Sequence, residues 1–146
     1  MLRHKLVAAL APLAVLACAE SAVAATLTVT KTATCGCCGG WVEHMKKAGF
    51  AVAVRNVADV TPTAQRLGVP EALRSCHTAE IGGYAVEGHV PAADVKRLLA
   101  ARPKAAGIAV PGMPMGSPGM EHGGHKQPYQ TLLFDRAGRP RVFASH

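Results

Sequence analysis

The sequence predicts an α/β fold in a single domain that closes on a C-terminal β-hairpin. Three observations carry that prediction. The chain has 146 residues, the usual size of one domain. Short runs of alternating, β-branched residues are interleaved with amphipathic helical stretches. Near the C-terminus two apolar runs flank Asp135-Arg136-Ala137-Gly138, a hairpin signal.

The elements follow in order. Arg3, His4 and Lys5 make a basic head, and Leu6 to Ala17 is an apolar run too short to span a bilayer. Ala22-Val23-Ala24 then offers an A-x-A cleavage site, so residues 1–24 read as a secretory signal peptide and 25–146 as the exported, periplasmic domain. Lipidation at Cys18 is the lesser alternative, because Leu16 fits a lipoprotein box poorly.

Thr26 to Thr32 alternates and reads as a strand. A Cys-Gly-Cys-Cys-Gly-Gly loop is expected at 35–40, then a helix over Trp41 to Ala48 that stops at Gly49. Phe50 to Val57 reads as a second strand. Thr61 to Leu67 reads as a short helix with Pro62 near its start, and Pro70 to Arg74 as one more helical turn. Ser75 to Thr78 is expected to be a turn or loop, and Ala79 to Glu87 a strand broken by Gly82-Gly83. Pro91 to Ala101 is an amphipathic helix. Residues 107–124 are rich in Gly, Pro, Met and His and read as one long irregular segment, of a size that is usually functional or disordered. Tyr129 to Phe134 and Arg141 to Phe143 form the hairpin. A strand, a cysteine loop at a helix N-terminus, then strand, helix, strand and helix is the order of a thioredoxin-like fold. In such a fold the helix dipole stabilises thiolates.

Composition excludes several classes. A formal charge of +7, a hydrophobic fraction of 49% and an aromatic content of 4% do not describe a multidomain machine, a disordered polyampholyte or a polytopic membrane protein. The basic residues are scattered and lack aromatic stacking partners, so neither nucleic acid nor stable membrane insertion is expected. Catalytic-triad, P-loop, paired-carboxylate and dinucleotide-binding motifs are missing from the sequence.

The chemistry lies in Cys35-Gly36-Cys37-Cys38 and in the separate Cys76. Three uses are open to these thiols: a structural disulfide from Cys35 or Cys38 to Cys76, a redox dithiol with the C-x-x-C spacing of Cys35 and Cys38, or a metal–thiolate site. Cys37 and Cys38 are adjacent, and one peptide bond cannot span a normal disulfide. Three crowded sulfurs therefore suit a metal better than one bridge. Zinc takes Cys, His and carboxylate, whereas Cu(I) also accepts thioethers. The chain offers Met113, Met115 and Met120 in the irregular segment, which has little core to fill. Met45 reads equally well as core filler. His77 follows Cys76 directly, and His44 lies on the first helix, so both are candidate ligands. For His89 a capping or structural role is as good a reading as ligation. His122 and His125 form H-x-x-H beside Met120 and Glu121, a weak metal site or a solvated loop. Trp41 reads as core.

Taken in order, Cys35-Gly36-Cys37-Cys38 with Trp41, His44 and Met45, Ser75-Cys76-His77-Thr78, Gly83-Tyr84 with Glu87-Gly88-His89-Val90-Pro91, and Val110-Pro111-Gly112-Met113-Pro114 with Gly116-Ser117-Pro118-Gly119-Met120-Glu121 resemble the CopG-type periplasmic copper-resistance proteins. The resemblance covers nearly all of residues 25–146. It implies a thioredoxin-like fold and a multinuclear Cu(I) cluster, more than one copper per chain, bridged by Cys35, Cys37, Cys38 and Cys76. His and Met neighbours would complete it. His122 and His125 lie beyond the last motif and take no role from the family. The expectation is a periplasmic copper-binding protein of copper homeostasis, with copper ions and other periplasmic copper-handling proteins as partners. Two other readings stand beside it: a thiol–disulfide or copper oxidoreductase using Cys35 and Cys38, and a zinc- or disulfide-stabilised fold with an interaction role.

Overall fold

The computed structural model describes residues 25–146. The signal peptide expected over 1–24 and the lipidation alternative at Cys18 fall outside the described residues. Among residues 25–146, seven strands form one mixed sheet in the order β2-β1-β3-β4-β5-β6-β7. The strands are β1 Leu27–Thr32, β2 Val52–Val57, β3 His77–Ile81, β4 Tyr84–Glu87, β5 Gly107–Ala109, β6 Gln130–Phe134 and β7 Pro140–Ser145. The helices are α1 Gly36–Lys47, α2 Thr61–Arg66 and α3 Ala92–Ala101, with a 3-10 turn at Glu71–Leu73.

Strand period decides which helix covers which face. Leu27 and Val29 of β1, Val86 of β4, Ile108 of β5 and Leu133 of β6 point to one side. There they meet Trp41, Val42 and Met45 of α1 and Val95 and Leu98 of α3. Their neighbours Ala85, Ala109 and Phe134 point to the other side, against Ala64 of α2, Val69 and Leu73. The sheet is thus sandwiched between helical layers, each burying one apolar face. On α1 the buried residues are Cys38, Trp41, Val42 and Met45, the i, i+3, i+4, i+7 stripe of a helix with one face in the core. Met45 and Trp41 are core residues with no exposed surface. No described helix is long and apolar enough to cross a membrane.

β1 and β2 are parallel and joined through α1, whereas β3 runs antiparallel to β1 on its other side. β2, at the sheet edge, begins at Val52 rather than Phe50.

Three expectations are corrected. Residues 36–40 are not a loop but the first turns of α1. Glycine's poor helix propensity argues against this, but tertiary packing overrides it: a Cβ on Gly40 would stand 3.1 Å from Gly119 Cα, so a bare backbone at 40 lets the 116–120 segment lie on the helix. Secondly, Gly82-Gly83 does not interrupt one strand. Both have positive φ (57° and 84°) and turn the chain between β3 and β4, with Ile81 opposite Tyr84 and Thr78 opposite Glu87. β3 accordingly starts at His77, inside the expected 75–78 loop. Thirdly, the irregular segment opens with a buried strand, β5, parallel to β4. A Cβ on Gly107 would collide with Ala85 O, so glycine is needed for that close pairing.

Candidate metal centre

Two chain segments bring sulfur together at one end of the sheet. Cys35 is the N-cap of α1 and Cys37 and Cys38 lie in its first turn. Amide N–H groups and the positive end of the helix dipole favour thiolates there. Cys76 arrives from the residue just before β3. The four sulfurs of Cys35, Cys37, Cys38 and Cys76 all lie within 4.8 Å of one another. Cys35 and Cys38 are joined as a disulfide, rather than either of them to Cys76. Among the described residues Cys37 and Cys76 carry no disulfide. Cys37 Sγ is 3.6 Å from Cys35 Sγ. Burial, and then the neighbouring Cys37, push the Cys76 thiol up to about 11. A nearby cation relieves both effects, because it stabilises the thiolate directly.

Cys76 also faces nitrogen. His77 Nδ1 is 3.5 Å and His89 Nε2 is 3.1 Å from its sulfur. These three side chains form a second cluster that shares Cys76 with the first. His89 is fully buried, and its Nδ1 is 2.8 Å from the carbonyl of Pro118. A carbonyl only accepts, so Nδ1 carries the hydrogen and Nε2 turns its lone pair to the sulfur. A backbone carbonyl holding the far nitrogen is how metal-binding histidines are commonly oriented. His77 is fully buried too, with its ring centroid 4.5 Å from that of Trp41, and its Nε2 has no hydrogen-bond partner among the described residues. Burial, then the adjacent His89, hold His77 down at about 3, and burial lowers His89 as well. Both rings are therefore neutral at pH 7, the form that donates a lone pair to a metal.

The other candidates are placed differently. His44 belongs to neither cluster. The Ala92 amide donates to its Nε2 at 3.1 Å, which satisfies an orphan N–H at the start of α3. Its lone pair is thus engaged. Met113 and Met115 are exposed, at 53% and 37%, and Met120 is half-buried. Their segment is moored to the cluster at three points. Ser75 Oγ donates to Gly112 O at 2.6 Å, His89 holds Pro118 O, and Gly119 rests on α1. The sequence leaves His89 open between ligation and a structural role, and the structure sets it against Cys76. The signal that finds it is the Gly82-Gly83 turn: counting outward, Ile81 faces Tyr84, His77 faces Gly88, and Cys76 faces His89.

A four-sulfur cluster sharing one sulfur with two neutral imidazoles fits a soft, thiophilic ion. Residues 73–120 match the family described as "Protein of unknown function, DUF411". No curated protein matches the sequence. Two solved structures resemble the chain, "Copper resistance protein copG" in its Form 2 and its Form 1. Each is 45% identical with a TM-score of 0.79. The likeness to Form 2 covers 84% of this chain and 98% of that one, and the likeness to Form 1 covers 83% and 96%.

Proposed function

The chain belongs to the CopG-type copper-resistance family, and from that premise we propose that it holds Cu(I) in a cysteine-bridged, multinuclear site for copper resistance and homeostasis. The observation that carries this reading is the set of four sulfurs within 4.8 Å of one another. Four thiolates with His77 and His89 beside Cys76 make six donors, more than a single two- to four-coordinate ion can use, so bridging is the economical arrangement. Cys35, Cys37, Cys38 and Cys76 would hold the cluster. His77 and His89 would add nitrogen at the Cys76 end. Met113, Met115 and Met120 would serve at the periphery, as soft donors on the path by which copper reaches the thiolates. His44 stays at the start of α3.

Loading all four sulfurs requires the Cys35–Cys38 disulfide to open. Two electrons and two protons from an external dithiol convert it to two thiols, and each thiol releases its proton on binding the metal.

The protein would act in the periplasm after removal of residues 1–24. The basic head, short apolar run and A-x-A site support it. A thioredoxin-like architecture is supported by the order β2-β1-β3-β4, with α1 bridging a parallel pair and cysteines at its N-terminus. Copper ions are the cargo, and other periplasmic copper-handling proteins are the exchange partners. A second reading, a thiol–disulfide or copper oxidoreductase, draws on one observation: the disulfide joins the C-x-x-C pair at a helix N-terminus.

Anaerobic titration of the reduced protein with Cu(I) tests the first reading. Binding should saturate above one equivalent per chain. Saturation at one equivalent, or zinc retained in place of copper, removes the cluster.

A further inference from the structure

We propose that His122 and His125 form a surface chelate for Cu(II), separate from the sulfur cluster and independent of it.

The two histidines pair directly across an isolated antiparallel bridge, with the His125 amide donating to His122 O at 3.1 Å. Gly123 and Gly124 between them have φ of 56° and 77°. Positive φ at both central residues is the hallmark of the tight hairpin turn that sets its flanking residues face to face. Directly opposed residues project to the same side, with Cβ atoms about 5 Å apart. Two imidazoles so placed can close on one ion at metal–nitrogen distances of about 2.0 Å.

The tip is anchored, so little ordering is left for metal binding to impose. Gln127 N donates to Met115 O at 2.9 Å, and Met115 N donates to Gln127 Oε1 at 2.9 Å. Glu121 Oε2 accepts from Gly119 N at 2.8 Å. Lys126, the next residue after His125, packs its stem on Gly116, where a Cβ would meet it at 2.9 Å. Both histidines are exposed, so neither fills the core and the open coordination positions are reachable by water.

The donor set chooses the ion. Imidazole nitrogens without thiolate favour a borderline divalent metal, and among first-row divalent ions such a site binds Cu(II) most tightly. The thiolates of the sulfur cluster favour Cu(I) instead. The protein would then carry two sites that distinguish copper by oxidation state.

The test uses the whole chain, anaerobic and saturated with Cu(I) so that its thiols are occupied and spectroscopically silent. Cu(II) sulfate is added and followed by electron paramagnetic resonance. One further equivalent should bind with superhyperfine splitting from two nitrogens. His122→Ala and His125→Ala should each weaken that binding by more than about tenfold, and His146→Ala should leave it unchanged. The proposal is overturned if added Cu(II) keeps the signal of the free hydrated ion, or if the two-nitrogen signal survives in the His122→Ala/His125→Ala double variant.

Discussion

Cys76 Sγ and His89 Nε2 meet at 3.1 Å across the foot of the β3–β4 hairpin. The contact ties three segments together, because the other ring nitrogen of His89 donates to Pro118 O. One side chain thus presents a lone pair to the sulfurs and holds the methionine-bearing segment in place. His89→Ala should lower Cu(I) affinity by at least about tenfold, as removal of an oriented donor does. His44→Ala should change it far less, since His44 spends its lone pair on the Ala92 amide. Competition against a chromophoric Cu(I) chelator measures both. Equal losses in the two variants would contradict the assignment.

Glycines near the site separate packing from propensity. A Cβ on Gly119 would fall 2.6 Å from Cys37 O and 2.7 Å from Trp41 N, and its φ is +85°. Backbone cannot step aside cheaply, so Gly119→Ala should destabilise the fold by about 2 kcal/mol or more. Gly39 lies inside α1 with nothing within 4 Å of its virtual Cβ. Gly39→Ala should stabilise by roughly 0.5–1 kcal/mol. Urea unfolding of the metal-free proteins reads both, and the two shifts should have opposite signs.

Glu87 makes stability depend on pH. It is 1% exposed, and burial raises its carboxyl to about 7 against the hydrogen bonds from Thr78 Oγ1 and the Ser75 amide. A carboxyl that is harder to ionise in the folded state than in the unfolded one binds its proton more tightly when folded. Its stabilising effect is present below about pH 4.5 and is lost as pH rises through 7. Between pH 5 and 8 the wild type should therefore lose stability relative to Glu87→Gln, by on the order of 3 kcal/mol. The buried histidines titrate in both proteins and cancel in the difference. Parallel unfolding midpoints across this range would contradict the account.

Much of the fold was legible in the sequence because its signals are local. The alternation over 27–32, the helical stripe over 92–101 and the Asp135–Gly138 turn need no distant partner to be read. The misreadings came where a distant partner decides the local form. The helical start at Gly36 depends on Gly119, some eighty residues away, and β5 depends on pairing with β4. In the site, the four cysteines announce themselves by clustering and softness. His89 carries no such local signal: only the Gly82-Gly83 turn, through the register it sets between β3 and β4, brings it opposite Cys76. His44 looked like a ligand by its nearness in sequence to Cys38, yet the packing of α1 on α3 gives its nitrogen to a backbone amide.

The central claim, that the sulfurs form a copper site rather than a redox dithiol, turns on Cys37. A dithiol mechanism needs an attacking thiolate and a resolving thiol, and Cys35 with Cys38 supply both. Cys37 is spare in that mechanism. A bridged cluster has no spare sulfur, and serine offers a hard hydroxyl that Cu(I) disfavours. The decisive measurement is copper content together with disulfide-reductase activity on one preparation of Cys37→Ser. Cys37→Ser should lose most of the copper that the wild type retains. Undiminished copper, with reductase activity equally high in wild type and variant, would contradict it.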